Sequence, residues 1–290
     1  PELNYFYWTD TYSYAGLSGA SDVLPEAGLA KEAQRLSAEA DDYRACIRDS
    51  VERSVVRTTD PPFVPQGPLM NVPPTAERLG ATWYSICSPI YMVEMGLLAP
   101  DDPKASWIDQ TIEKYVMTTG LPTLTPGTID PHYVYNQALA ELLRGETEKF
   151  LWTFYSLFAY GQSRTTYATI EGNDLVTGSS GDSWDSLRMP HMHSNSRVLA
   201  MLRIALLVED GETLHLLAGT PRSWLEDGKV IQVRTAPTTF GDVSLHAESH
   251  ISSNSITISV DPPTRRAARI LLHVRPPSKF GAPKSVLVNG

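Results

Sequence analysis

Between Thr165 and Arg203 the chain gathers the residue types that acid–base chemistry needs. Glu171, Asp174, Asp182, Asp185, His191 and His193 fall there, beside Tyr167 and Trp184. Gly172, Gly178 and Gly181 weaken any helix in this stretch, and Pro190 stops one entering from the N-terminal side. A long loop that joins two ordered regions and carries titratable groups among flat aromatic rings reads as a functional loop. Sugar chemistry would use such a set. Aromatic rings stack on the apolar face of a sugar, while carboxylates and imidazoles grip hydroxyls and move protons.

Glu171 leads the candidates. Hydrolysis of a glycosidic bond takes a carboxylic acid for the leaving oxygen and a second carboxylate, the two held about 6.5–9.5 Å apart where a water must fit between them. A loop glutamate that caps a turn or faces solvent is the plainer alternative. Asp10 closes the aromatic run from Tyr5, in which Tyr7 and Trp8 offer faces to a sugar ring and Asp10 offers a grip on hydroxyls or a proton. The alternative makes Asp10 the N-cap of the helix that follows, with the aromatics in its core.

Asp182, Trp184 and Asp185 form either a sugar subsite or a set of solvated loop carboxylates. Trp83 and Tyr84, with Tyr133 and Tyr135, are candidates for the rim of the same cavity. Trp152 and Trp224 read as packing residues. His191 and His193, one residue apart, would make a zinc site with Glu171 or Asp185, but that spacing alone carries little. His191 is expected to bind a sugar hydroxyl or position Glu171, and His193 to start the last helix. No metal and no cofactor is expected. The chain has no G-x-S-x-G elbow, P-loop or G-x-G-x-x-G.

A net charge of −9, with acids and bases mixed along 290 residues, disfavours nucleic acid and anionic membranes as partners. No apolar run is long enough for a transmembrane helix. Cys46 and Cys87 cannot build a disulfide framework, and both read as small core residues. The compartment stays open. The chain starts at Pro1, so a signal, a tag or a whole upstream region is expected to have been removed.

The elements that must position these residues change character near residue 208. Residues 1–208 read as helices in pairs and residues 209–290 as a strand-rich domain. Pro25 to Arg57 is expected as one helix with a stripe from Leu29 to Val51. Prolines from Pro61 to Pro74 predict an extended surface segment. Ser88–Pro89, Asp102–Pro103 and Asp130–Pro131 read as helix starts, and Gly96, Gly120, Gly145 and Gly161 as stops. The single residue Gly145 should fold two helices back as an antiparallel hairpin. The tail predicts strands over 213–218, 230–234, 243–249, 255–260 and 270–274, with a further one at 286–289, as an antiparallel β-sandwich.

Paired helices followed by such a tail resemble the six-hairpin glycosidases, built on an (α/α)6 toroid. The nearest likeness is to the α-L-rhamnosidase-like group, in the segments Thr165–Glu171 and Pro190–Asn195 and in the tail segments Ala218–Leu225, Ala236–Gly241 and Val286–Gly290. The resemblance implies a glycoside hydrolase of the inverting type, with Glu171 as general base; Asp10, read from its own aromatic run, is the further candidate catalytic carboxylate. The residues themselves, read with this function in view, offer sugar contacts from Tyr7, Trp8, Trp83, Tyr133, Tyr167, Asp182, Trp184, Asp185, His191 and His193.

About seven helices are legible, fewer than six hairpins need, and the acidic loop with Asp-Cys-Pro and Arg-Glu elements is not in the sequence. The chain is therefore expected to be the C-terminal part of a larger enzyme, completed by an upstream part or another chain. A non-catalytic carbohydrate-binding fragment is the alternative. A lyase or epimerase using His191 and Tyr167 on an acidic sugar ranks third.

Overall fold

The computed structural model describes residues 5–70, 72–74, 88–125, 128–129, 131, 133–163, 165–169, 173–174, 190–265 and 267–289. The protein is mixed, with seven helices and mainly antiparallel sheets among the described residues. It divides into two compact units. One holds residues 1–144 and 152–198, the other residues 145–151 and 199–290. The helices Thr147–Tyr160 and Met192–Leu206 have residues in both.

The first unit opens with α1 (Tyr7–Val23) and α2 (Ala30–Ser54), the one extensively packed helix pair among the described residues. The expected helix from Pro25 begins only at Ala30. Leu24–Ala27 form a 3-10 turn that ends at Gly28, whose φ of 79° suits a residue without Cβ. Ala33, Ala40, Ile47 and Val51 are buried on α2, with Leu36 and Tyr43 half-buried between them. Steps of three and four keep that stripe against α1. Leu29 and Cys46 are exposed, contrary to expectation: Leu29 is the N-cap residue ahead of the first helical turn, and Cys46 lies off the stripe.

The proline-rich segment is extended, yet it is not on the surface. Residues 63–67 are buried, Val56 and Phe63 form a bridge, and the Gln66 carbonyl accepts the Tyr7 N–H at 2.8 Å. The apolar side chains of Phe63 and Val64 draw the segment inward, and prolines with no N–H to desolvate make that cheaper.

Ser88–Ile90 form a 3-10 turn leading into the short α3 (Tyr91–Glu94). Helix α4 (Pro103–Tyr115) is capped by Asp102, whose carboxylate accepts the Lys104 N–H at 2.9 Å. It ends five residues before Gly120, the expected stop. Gly120 instead shapes a hairpin between β1 (Met117–Thr118) and β2 (Leu121–Thr125). Thr119 and Gly120 both have positive φ, as a tight two-residue hairpin loop requires. β3 (Thr128–Ile129) and β4 (Asn173–Asp174) complete a small antiparallel sheet in the order β1-β2-β3-β4.

Helix α5 (Val134–Leu143) starts after Tyr133, three residues beyond the expected Asp130–Pro131 start. Asp130 lies outside the described residues. Arg144 closes α5 and makes a buried ion pair with Asp109 of α4. α6 (Thr147–Tyr160) and α7 (Met192–Leu206) lie close to their expected bounds.

The second unit carries two three-stranded sheets. β5 (Leu207–Asp210) and β10 (Arg269–Leu272) flank β6 (Thr213–Leu216) in one. β7 (Val230–Ala236), β8 (Val243–His250) and β9 (Ser255–Asp261) form the other. β8 buries every second residue, as a strand with one wet face must. Leu207, Leu214, Leu216, Ile231, Val243 and Leu245 join both sheets in one apolar cluster. Two expectations fail here. β10 pairs with β6 in parallel, and residues 286–289 form no strand. Among the described residues that segment pairs with no strand, and Val286, Leu287 and Val288 stay exposed.

Candidate functional site

The described residues of the first unit place a polar and aromatic cluster where α1, α3, α5 and the start of α7 contribute side chains. Its charged centre is the ion pair of Glu94 Oε1 and Arg197 Nη1, at 2.9 Å. The second oxygen, Glu94 Oε2, accepts from Asn136 Nδ2 on α5. Arg197 Nε reaches His193 Nε2 at 3.2 Å, one helical turn away, and its guanidinium lies 4.8 Å from the centre of the Tyr135 ring. Tyr12 also touches this pair. Burial first, and then the negative charge of Glu94, push its phenol above the ordinary tyrosine range, while Arg197 pulls the other way.

Rings continue from Tyr12. Its centroid is 6.5 Å from Trp8, edge to face, and 5.4 Å from Tyr91, which sits 6.0 Å from Tyr133. Trp8 and Tyr12 are i, i+4 on α1, so one face of that helix presents both. Trp8 is 39% exposed and Tyr12 38%, whereas Tyr91 and Tyr133 are buried. The cluster thus offers two solvent-reaching rings backed by fixed donors and acceptors. That combination suits a ligand with apolar faces and peripheral hydroxyls.

A second relationship ties in the loop. The Thr169 N–H and Oγ1 both donate to Asn195 Oδ1, at 3.0 and 2.8 Å. The Thr169 carbonyl accepts the His191 N–H at 2.8 Å, and Thr169 is fully buried. His191 precedes α7, and its Nδ1 meets the Ser194 hydroxyl at 2.8 Å and the Ser194 N–H at 3.4 Å. Two donors at Nδ1 favour the tautomer with the proton on Nε2. The segments Thr165–Thr169 and Pro190–Asn195 are therefore held together.

The individual expectations fare differently. Trp8 and His193 join the cluster, with Tyr133 behind it. The rings of His191 and His193 stack at 6.2 Å and 4° rather than converging on a point. Among the described residues no group of three or more His, Cys, Asp or Glu is arranged to hold a metal ion.

Tyr7 is a core residue, 2% exposed, and its hydroxyl bonds to Ser50 and Ser54. Asp10 neither caps α1 nor faces the cluster. The helix begins at Tyr7, and Asp10 accepts the Tyr43 hydroxyl at 2.7 Å on the α2 side. Two positions along a helix point nearly opposite ways, so Trp8 and Asp10 cannot serve one pocket. Burial and the Asp10 carboxylate push the Tyr43 phenol up to about 12. Tyr167 is exposed, at a positive φ of 55°. Glu171, Trp83, Asp182, Trp184 and Asp185 lie outside the described residues. Trp152 is exposed, against expectation. Trp224 is half-buried and lines an open groove of about 510 Å³ in the second unit.

Glu94, Arg197, Tyr12 and Asn136 were missed in the sequence. One signal was available. Asn136, Gln137 and Glu141 interrupt an apolar helix, and all three are buried. Buried polar residues on one helix need polar partners, and Glu94 is one of them.

No family model matches this chain, and no curated protein matches it in sequence.

Proposed function

We propose that this chain is a carbohydrate-active protein of the glycoside hydrolase type. Glu171 acts as the general base that draws a proton from the attacking water, and Trp8 and Tyr12 provide the sugar platform. The clasp of Thr169 with Asn195 and His191 carries this reading. It holds together the two segments whose residues resemble the six-hairpin glycosidases, and Glu171 follows Thr169 by two positions. The exposed rings beside a fixed Glu94–Arg197 pair support a sugar as ligand.

The fuller fold of this reading is an (α/α)6 toroid with a β-sandwich tail, completed by further helices upstream or on another chain. No described helix is long and apolar enough to cross a membrane.

One observation favours the alternative of binding without turnover. Glu94, the carboxylate of the described cluster, has both oxygens engaged, by Arg197 and Asn136. It is built to hold a geometry more than to exchange a proton.

A panel of aryl glycosides, rhamnosides included, tests the proposal on the parent and on Glu171→Gln. Turnover that collapses by about a hundredfold or more in the variant is expected, as for loss of a general base. Saccharide binding without turnover in the parent would replace the hydrolase reading with the binding one. Neither turnover nor binding would end both.

A further inference from the structure

In the second unit two arginines each bond to the backbone next to the other. Arg222 donates from Nη1 to the Pro276 carbonyl at 2.7 Å, and Arg275 donates from Nη2 to the Thr220 carbonyl. Each thus grips the backbone beside the other. Like charges are normally kept apart or bridged by an acid. Here no carboxylate bonds to either arginine among the described residues, and Glu148 acts on Arg275 only through space. Arg275 is half-buried and Arg222 exposed. The Nε of Arg275 is buried with no acceptor.

A guanidinium has five N–H donors in a rigid fork. Each of these gives one nitrogen to a carbonyl, so most of the donor capacity of both remains for another acceptor. A guanidinium fork matches the oxygens of a planar or tetrahedral oxyanion, bound bidentately, and the charge of Arg222 is felt at Arg275. Such an anion would also relieve the repulsion between the two cations.

We propose that Arg222 and Arg275 form a binding site for a small oxyanion, either a carboxylate such as that of an acidic sugar or a phosphate. The site needs nothing from Glu171 and stands or falls apart from the hydrolase reading. His273 provides an internal reporter. It lies two residues before Arg275, and its imidazole is disfavoured as a cation by burial, by His215 and by Arg275. A bound anion offsets that positive surrounding, so the His273 titration midpoint rises with occupancy.

The test is calorimetric titration of the full chain with inorganic phosphate and with glucuronate, in chloride at matched ionic strength, alongside NMR titration of the His273 ring. Saturable heat with one of the two, and an upward move of the His273 midpoint, are expected. Whichever binds tighter identifies the source of the oxyanion. Arg222→Gln should weaken binding by about tenfold or more, the scale of a lost charge-assisted bond. Its side chain is exposed, so folding should survive even if Arg275→Gln does not fold. Absence of saturable binding by both anions, or undiminished binding by Arg222→Gln, overturns the site.

Discussion

Glu94 and Arg197 are separated by 103 positions in sequence and by 2.9 Å in space. Their side chains are 17% and 13% exposed, so water screens the pair little. The pair joins the end of α3 to the second turn of α7, and Asn136 fixes the other carboxylate oxygen from α5. Three elements of the first unit therefore meet at one carboxylate.

Truncating either partner should be costly, because the other charge is left without its counter-ion. Glu94→Ala or Arg197→Ala is expected to lower unfolding free energy by about 3 kcal/mol, the lower end of the range for broken buried pairs. Urea unfolding of both singles and the double variant gives the coupling energy. A value under about 1 kcal/mol would mean the pair behaves as a solvated surface pair. Glu94→Ala should also let the Tyr12 phenol titrate earlier, since Glu94 is one of the groups holding it up.

Asn195 serves Thr169 twice through a single oxygen. Asn195→Ala leaves a buried N–H and a buried hydroxyl to find other acceptors. The expected loss is about 2–3 kcal/mol, below the sum of two separate orphans because the hydroxyl also reaches the His191 carbonyl. Asn195→Asp keeps the acceptor and should recover most of the loss. Hydrogen exchange at the Thr169 amide reports the clasp directly. Protection unchanged in Asn195→Ala would show that the clasp contributes nothing.

What could be read from the sequence was mostly local. Asp102 announces its own cap, and Gly145 sits at the joint with a positive φ because only the local backbone matters there. The alternation of β8 is visible for the same reason. The two-residue strands β1, β3 and β4 are too short for any period to show, and β5 is hidden because it continues directly from α7. Of the described cluster, Trp8, Tyr133 and His193 were among the residues named from the sequence. One role expected of His191, positioning Glu171, required the chain near 169 and near 191 to meet, and Thr169 does bond to His191 and Asn195. Glu94 and Arg197 carried no such sign, since partners a hundred residues apart leave no spacing to recognise. Asp10 misled because a carboxylate beside a tryptophan in sequence lies across the helix from it in space.

In the second unit, His215 on β6 and His273 after β10 predict a stability that fails in mild acid. Nδ1 of His215 lies 3.0 Å from Nε2 of His273, with the rings stacked at 5.2 Å. That bond requires an unprotonated acceptor, so at least one ring must be neutral. Burial lowers the pKa of both from 6.5. Arg269 adds to this at His215, where Asp210 opposes it, and His215 and Arg275 add to it at His273. Because the folded values lie below the unfolded one, the unfolded chain takes up protons first as pH falls. The contribution is therefore fully present above 6.5 and is lost as pH drops through 6.5 toward the folded values. Melting temperature measured from about pH 7 down to about pH 5, before most carboxylates protonate, should fall in the parent. His273→Gln removes one of the two titrating rings and should flatten that slope while lowering stability at pH 7. A variant as acid-sensitive as the parent would place the titration elsewhere. The same scan in saturating phosphate or glucuronate should shift the parent toward the flat profile, since an anion on Arg275 weakens the field that holds His273 neutral.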